Sequence, residues 1–381
     1  MSLSINLLTP NYPSSSYIER GAFVEALVEQ WIELGTTVNV VAPTSIRSHT
    51  VSIGQRNPNK NVFIAGSVIQ RPIYLSLSNK TFFNFSSEWL TNYFFAKACI
   101  RTLEEQSSGI YYGKFLKSGG LAATLAKKKY GGWAFADMGE SVFLSGMSLT
   151  DRKKASRIIE ALDGIVCVSE RLKREVLEIC PDFTNIIVVP NDVDLSVFRP
   201  MSKIECRKEL GLSVDSFYVI FVGHFNERKG PRRVLESLDR LPDGALGIFL
   251  GRGNDCPVGD RVSVCRSVSN RDLPRWLNAA DVMVLPTLAE GHCNAINEAL
   301  ACGLPVITSS IDDMKSRGDA HLLRLVDPFN IAEISGSLKQ LFYDKDLFQQ
   351  LKNELLVWRL EMKNRKRRGE VIHDWVLQTI S

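Results

Sequence analysis

The chain predicts an α/β protein made of two consecutive doubly wound, Rossmann-like domains facing a central cleft. Three observations carry this expectation. Short apolar runs of strand length alternate with longer amphipathic stretches along most of the sequence, as repeated β-α units require. The alternation pauses once, around Arg199-Pro200-Met201-Ser202, and then resumes. The length of 381 residues suits about two domains of ordinary size. The expected division is an N-terminal domain over 1–200, a C-terminal domain over 201–365, and a last helix over 366–381 that crosses back.

The first half opens with a strand at 3–8, a polar loop to 20, a helix over 21–34 ended by Gly35, and a returning strand at 38–42. This βαβ opening predicts a right-handed connection. Strands follow at 62–65, 109–112, 133–136, 164–168 and 186–189, with helices at 121–129, 151–162 and 169–179. The second half alternates again. Its strands fall at 218–222, 246–250, 261–265, 282–285 and 306–308, and its helices at 231–241, 271–279 and 293–302. The tail from 346 to 381 reads as helical and polar. Solenoid-length repeats and low-complexity segments are absent from the sequence.

Composition narrows the function classes. A hydrophobic share of 45% supports sizeable cores, and a net charge of +4 gives no argument for nucleic acid as a partner. The first ten residues lack a basic region and a long apolar stretch, so they read as a strand and not as a signal peptide. No run approaches the roughly 20 apolar residues that cross a bilayer. Eight cysteines are scattered without a CxxC pair, which predicts reduced, buried thiols and a cytoplasmic protein. The five histidines (49, 224, 292, 321 and 373) have no metal-ligand spacing, and Asp312-Asp313 reads as a solvated acidic loop. No metal site and no cofactor are expected.

The most informative stretch is Glu290-Gly-His-Cys-Asn-Ala-Ile-Asn-Glu298-Ala-Leu-Ala-Cys-Gly303-Leu-Pro305-Val306. It follows the strand-like Val282-Met283-Val284-Leu285. Good helix formers lie between the two acids and Gly303, where glycine and then Pro305 mark a stop. A strand, an acid-bearing loop, a helix start and another strand form one turn of a doubly wound sheet. The free N–H groups at such a helix start attract phosphate, and nearby carboxylates suit ribose or sugar hydroxyls. Nucleotide diphosphate-sugars carry all of these groups.

The string resembles the Glu-x7-Glu motif of the retaining glycosyltransferases of family 4. Further segments resemble that family in the same order. They are Pro190-Asn191-Asp192-Val193-Asp194 with Phe198, Phe221-Val222-Gly223-His224 with Lys229-Gly230, Leu250-Gly251-Arg252-Gly253, and Ala279-Ala280-Asp281-Val282. The match is dense over about 165–310 and looser before it. The resemblance implies a GT-B arrangement and transfer of a sugar from a nucleotide diphosphate-sugar to a glycan or lipid-linked acceptor. That donor is a substrate, not a cofactor.

The resemblance also implies roles. Lys229, with neighbouring Arg228, would neutralise the departing diphosphate, where preorganised cations lower the barrier most. Glu298 would take the ribose hydroxyls and Glu290 the transferred sugar, with Gly291, His292, Cys293 and Asn294 against the sugar or distal phosphate. Gly223 and His224 would flank the phosphates, Val268 the base, and Gly21 the donor-facing loop of the first domain. Some positions depart from the family. His224 stands where an arginine is usual, so Arg228 is expected to take over that charge. His292 and Cys293 replace an aromatic and a glycine, and Met138 replaces a histidine, leaving Asp137 or Glu140 to serve beside the sugar. Cys293 has no His–Asp partner set in sequence and reads as pocket wall.

Two stretches bear on the acceptor. Phe82, Phe83, Phe85, Trp89, Leu90, Tyr93, Phe94 and Phe95 are read as a packed aromatic face or, alternatively, as an interfacial patch. Lys363, Arg365, Lys366, Arg367 and Arg368 are read as a solvated helix face or as a contact for anionic lipid. Peripheral attachment to the inner membrane face goes with the second reading of each. Two other functions fit the same fold: a nucleotide-sugar epimerase and a degenerate sugar-nucleotide-binding protein.

Overall fold

The computed structural model describes residues 3–13, 21–46, 62–64, 67–77, 81–82, 85–103, 109–145 and 147–381. The chain forms two compact units, Met1–Pro190 with Lys366–Ser381, and Asn191–Arg365. The first junction falls ahead of the pause at 199–202. Asn191 already belongs to the second unit, donating its side-chain amide to His292 O at 3.2 Å and Asn294 Oδ1 at 2.9 Å.

In the first unit, β1 (Ser4–Leu8), α1 (Ala22–Glu33) and β2 (Thr37–Val41) form the opening βαβ. Short strands follow: β3 (Thr44–Ser45), β4 (Val62–Ile64), β5 (Ser67–Gln70), β6 (Ile73–Tyr74), β7 (Thr81–Phe82) and β8 (Phe85–Ser86). Then come α2 (Ser87–Thr102), β9 (Ile110–Lys114), a π-helical turn over Phe115–Gly120, α3 (Leu121–Tyr130), β10 (Trp133–Met138), α4 (Leu149–Ala161), β11 (Gly164–Cys167), α5 (Glu170–Ile179) and β12 (Ile186–Val188). Ser148 and Ser169 begin α4 and α5 by accepting from Asp151 N and Leu172 N, the usual satisfaction of a free first-turn amide.

The main sheet runs β12-β11-β10-β9-β1-β2-β5-β4, and among its pairs only β4–β5 is antiparallel. Successive residues point to opposite faces, and the core follows that alternation. Tyr111, Ala136 and Cys167 pack on the face with α2 to α5, while Tyr112, Phe135 and Val166 pack on the face with Trp31 of α1. Burial on both faces explains the near-continuous apolar runs that marked these strands.

The second unit holds α6 (Lys203–Leu210), β13 (Phe217–Val222), α7 (Pro231–Leu238), β14 (Ala245–Leu250), β15 (Val262–Arg266), α8 (Leu273–Ala279), β16 (Val282–Leu285), α9 (Asn294–Ala301) and β17 (Val306–Ser309). It ends with α10 (Asp312–Lys315), a 3-10 turn, β18 (Leu323–Val326), α11 (Ile331–Tyr343) and α12 (Lys345–Lys363). Its sheet, β15-β14-β13-β16-β17-β18, is parallel throughout. The order reverses between β13 and β16. A crevice at the carboxyl ends of these two strands is where open α/β sheets take ligands.

The helical tail divides close to the expected boundary, into α12 in the second unit and α13 (Arg368–Ile380) in the first, broken at 364–367. The structure corrects several other expectations. Arg368 is not part of an exposed basic run. It is buried, donating to Val189 O and pairing with Asp137 Oδ1 at 2.7 Å. Lys366 and Arg367 are exposed but pair with Asp374, Glu33 and Glu370.

Asp137 is equally unavailable to a sugar, since it is fully buried and also meets Lys114 Nζ at 2.7 Å and the Tyr112 hydroxyl at 2.9 Å. Burial alone would raise its pKa, but Arg368 and Lys114 hold it down at about 2. Met138 is core. Asp313 is buried at the start of α10, not solvated. Cys256 and Cys265 form a disulfide, so those two are not reduced thiols, while Cys99, Cys167, Cys180, Cys206, Cys293 and Cys302 are free and buried. The aromatic stretch divides: Trp89 and Phe95 are core, Tyr93 is exposed, and Phe83 with the side chains of Phe82 and Phe85 lies outside the described residues.

Candidate functional site

Two loops leave the carboxyl ends of β13 and β16, adjacent strands on either side of the switch point. Each leads into a helix, α7 and α9, so two sets of unpaired first-turn amides face the same strand ends. The first loop spans Gly223 to Gly230 and the second Pro286 to Cys293. They are tied together by backbone: Leu288 N donates to Arg228 O at 2.8 Å. Arg233, buried in α7, reinforces the tie by donating to Glu227 O at 2.7 Å and Pro286 O at 3.0 Å. Gly230 has φ 75°, a left-handed conformation that glycine adopts without strain, and a Cβ there would displace the Arg233 guanidinium 2.5 Å away.

The predicted charged residues meet where the loops join. Lys229 Nζ lies 2.5 Å from Glu290 Oε1, and Arg228 Nη1 lies 3.5 Å from the same oxygen. Thr287, which sequence reading missed, donates its hydroxyl to Glu290 Oε1 at 2.7 Å. Arg228 also donates to Ala289 O at 2.5 Å. Lys229 and Glu290 are both buried, at 9% and 4% exposure. Burial works to lower the Lys229 pKa, but the hydrogen-bonded Glu290 carboxylate helps to outweigh it, and the pKa stands above the ordinary value. The ammonium is therefore kept charged in a dry setting, where its field acts most strongly on a nearby anion.

Cys293 stands 4.0 Å from Lys229 Nζ. Burial nevertheless pushes its pKa up, so it remains a thiol and a wall residue. His224, expected near the phosphates, is exposed, and Arg228 lies 3.5 Å from Glu290.

Glu298 lies one turn into α9 and is part-buried. Burial pushes its carboxyl up to about 7, and no described donor reaches it. An acceptor in that condition is ready for a ligand's hydroxyls. Beside the first loop, Gly251 N donates to Arg266 O at 2.9 Å and Gly223 N to Leu250 O at 3.0 Å. A Cβ on Gly251 would lie 1.8 Å from Gly223 O, so these loops touch backbone to backbone. Arg252 Nε donates to Ser267 Oγ at 2.9 Å, and Val268 packs half-buried against the core.

Gly21 belongs to the first unit, where it begins α1 at φ 82°. A Cβ would sit 2.5 Å from Asn11 O. Its neighbours Glu19 and Arg20 lie outside the described residues.

Asn191, Asn297 and Arg317 support the second loop from behind and carried no functional signal in the sequence, except Asn191 through its motif. Among the described residues no group of three or more His, Cys, Asp or Glu side chains is placed to hold a metal. No described helix is long and apolar enough to cross a membrane. A cavity of about 560 Å³ beside α12 is lined by Asp346, Glu354 and Glu361 with no lysine or arginine, which is unsuited to a diphosphate.

The chain is similar to several known proteins. The sequence model of the family "Glycosyl transferases group 1" matches residues 216–344. A Bacillus subtilis protein described as a teichuronic acid biosynthesis glycosyltransferase, TuaC, is 25% identical over 344 residues, covering 86% of each chain. The D-inositol 3-phosphate glycosyltransferase of Xylanimonas cellulosilytica is 29% identical over 207 residues, 48% of this chain and 50% of that protein. Among solved structures, sucrose-phosphate synthase from Thermosynechococcus elongatus superposes with TM-score 0.76 at 16% identity, covering 99% of this chain and 98% of that one. Anabaena HepE, in complex with UDP and glucose, superposes with TM-score 0.71 at 13% identity, over 100% and 99%. The fold is GT-B.

Proposed function

We propose that the chain is a retaining glycosyltransferase, taking a glycosyl group from a nucleotide diphosphate-sugar and passing it to a glycan or lipid-linked acceptor. The observation that carries the reading is the joining of Arg228, Lys229 and Glu290 at the β13/β16 switch point, under the starts of α7 and α9. The family match over 216–344 and the glycosyltransferase relatives support the class of reaction.

In this reading the bond from the anomeric carbon to the diphosphate oxygen breaks and its electron pair leaves with the diphosphate. Lys229, Arg228 and the free amides of the helix starts meet that growing charge. The acceptor hydroxyl forms the new bond and gives up its proton to a departing phosphate oxygen. Glu290, held by Lys229 and Thr287, faces the transferred sugar, and Glu298 takes the ribose diol. Retention and the lipid-linked option come from the family resemblance.

The test is mass spectrometry of products from a panel of nucleotide sugars, with and without glycan and polyprenyl-linked acceptors. Transfer, or slow hydrolysis when acceptor is omitted, is expected. Isomerisation of the donor without acceptor would replace this reading with an epimerase, and binding without any conversion would replace it with a sugar-nucleotide-binding protein.

A further inference from the structure

The parallel strands β14 and β15 have to be joined by a crossover that returns along the sheet, and such crossovers are usually helical. Here residues 251–261 make the return without a helix, so other contacts must hold them. One side of the segment is laced to the loop Gly223–Gly230. Phe225 N donates to Arg252 O at 2.7 Å, and Asp255 N donates to Phe225 O at 3.2 Å. A Cβ on Gly253 would lie 2.1 Å from Phe225 O, so the two backbones are in direct contact. Asp255 also pairs with Arg232 of α7 at 3.0 Å, an exposed contact of small worth. The other side is held covalently, by the bond from Cys256 to Cys265 of β15. Cys265 is in register with Phe249, and Phe249 with Phe221, one residue short of the end of β13. The bridge therefore pins the crossover beside the strand ends from which the loop carrying Arg228 and Lys229 departs.

This pair differs from the other six cysteines. Those are free and buried, whereas Cys256 is exposed and Cys265 is half-buried on the edge strand of its sheet. We propose that Cys256 and Cys265 are a thiol–disulfide exchange site, and that their oxidation state sets how firmly the loop Gly223–Gly230 is held for a nucleotide diphosphate. The second half rests on the function proposed above. The exchange partner is a dithiol. Its thiolate attacks the exposed Cys256 sulfur, the bond to Cys265 breaks, and Cys265 leaves as a thiolate that takes up a proton. The partner's second thiolate then displaces Cys256 from the mixed disulfide. Two electrons and two protons pass to the chain, and the dithiol becomes a disulfide. Reduction opens a ring closed across nine positions and leaves the crossover with its ties to Phe225 and Arg232 alone. A loop that is competent for only part of the time binds its ligand more weakly by that fraction.

The experiment reads cysteine state and nucleotide affinity on the whole chain. Native alkylation with N-ethylmaleimide and peptide mapping should leave Cys256 and Cys265 unmodified in air-oxidised protein. After dithiothreitol both should be modified, Cys256 first. In calorimetric titration with UDP and GDP, the Kd of whichever nucleotide binds should rise about three- to tenfold on reduction, as for a loop competent about a tenth to a third of the time. Reoxidation should restore it. Hydrogen exchange should quicken on reduction in 251–260 and 223–230 and stay unchanged in β17. Cys256→Ser should show the reduced-state affinity with or without dithiothreitol. Cys265→Ser should do the same and serves if the first variant folds poorly.

Alkylation of both residues without reductant overturns the exchange site. Equal nucleotide affinity in the two states, with the disulfide present in one of them, overturns its control of the loop. A protein that binds neither nucleotide in either state, yet exchanges faster at 223–230 on reduction, supports the redox tie and overturns the proposed function, so the failures are distinct.

Discussion

Glu298 is the residue whose energetics are most exposed to test. Folding lifts its pKa from 4.5 to about 7 through burial. The native state therefore holds a proton that the unfolded chain has released. Its contribution to stability is complete below about pH 4.5 and is lost as pH rises through about 7. Glu298→Gln removes that penalty, and the variant should be more stable than the parent at pH 8 by about 1–2 kcal/mol, allowing for its partial exposure. The same change should weaken nucleotide binding. Ribose hydroxyls favour the ionised carboxylate, so parent affinity for a nucleotide diphosphate-sugar should rise across pH 6 to 8 by about tenfold at most. Calorimetric titration of parent and variant decides it: a variant that keeps the same pH dependence takes Glu298 out of the ribose site.

Lys229 and Glu290 make a second pair of expectations. Lys229→Ala should reduce turnover by roughly two to three orders of magnitude, as when one charge-stabilising group is lost. It also strands Glu290 in a buried position, which should lower stability by about 3 kcal/mol. Adding Glu290→Gln should recover most of that stability and none of the activity. Arg228, bonded to Ala289 O, still faces Glu290 in these variants, so full recovery of turnover in the double variant would remove Lys229 from the chemistry.

Among the elements, α9 was legible from its own residues, whereas α13 was legible as a last helix over 366–381 but not in the contacts that anchor it. Cys293 to Gly303 announced its helix by composition and by its stop. Gly303 takes φ 74°, and Leu304 N returns to Ala299 O at 3.0 Å, a left-handed end that glycine supplies without strain. Most strands of both sheets were readable because burial on two faces leaves an unbroken apolar run, but β5 and β18 were not read.

The tail is different. Arg368 and Asp137 are 231 positions apart, and nothing local distinguishes this arginine from its solvated neighbours. The same holds for Arg317 and Asn297, which bond side chain to side chain. Three anchors dock α13: Arg368 on Asp137, the Trp31 indole donating to Gly369 O at 3.0 Å, and Gly369 N donating to Gln30 Oε1 at 2.6 Å. Arg368→Ala leaves Asp137 inside the core with Lys114 as its one remaining cation beside the Tyr112 hydroxyl, and should cost about 3–5 kcal/mol. Arg367→Ala, beside it but exposed, should cost under about 1 kcal/mol. Chemical denaturation of the two variants separates a buried latch from a solvated basic face, and equal effects would sink the latch.

At the scale of the whole molecule, each unit owns its core. One continuous cluster serves Asn191–Arg365, and two clusters on the faces of one sheet serve the rest. Gly223, Lys229, Glu290 and Glu298, the residues proposed to face the donor, all lie in the second unit, whereas α13 packs in the first. Ligand and tail should therefore act on different parts of the protein. UDP at about one hundred times its Kd should stabilise what it binds by about 2.7 kcal/mol. In hydrogen exchange by mass spectrometry, that protection should concentrate in 217–303. Removal of the residues after Arg365 should instead speed exchange in β1, β9 and β10 and leave UDP affinity within about twofold of the parent, since a binding constant shifts only through differential contact with the ligand-bound state. A truncated chain that loses UDP binding, or nucleotide protection spread equally over both units, would show that the donor site is not complete within Asn191–Arg365.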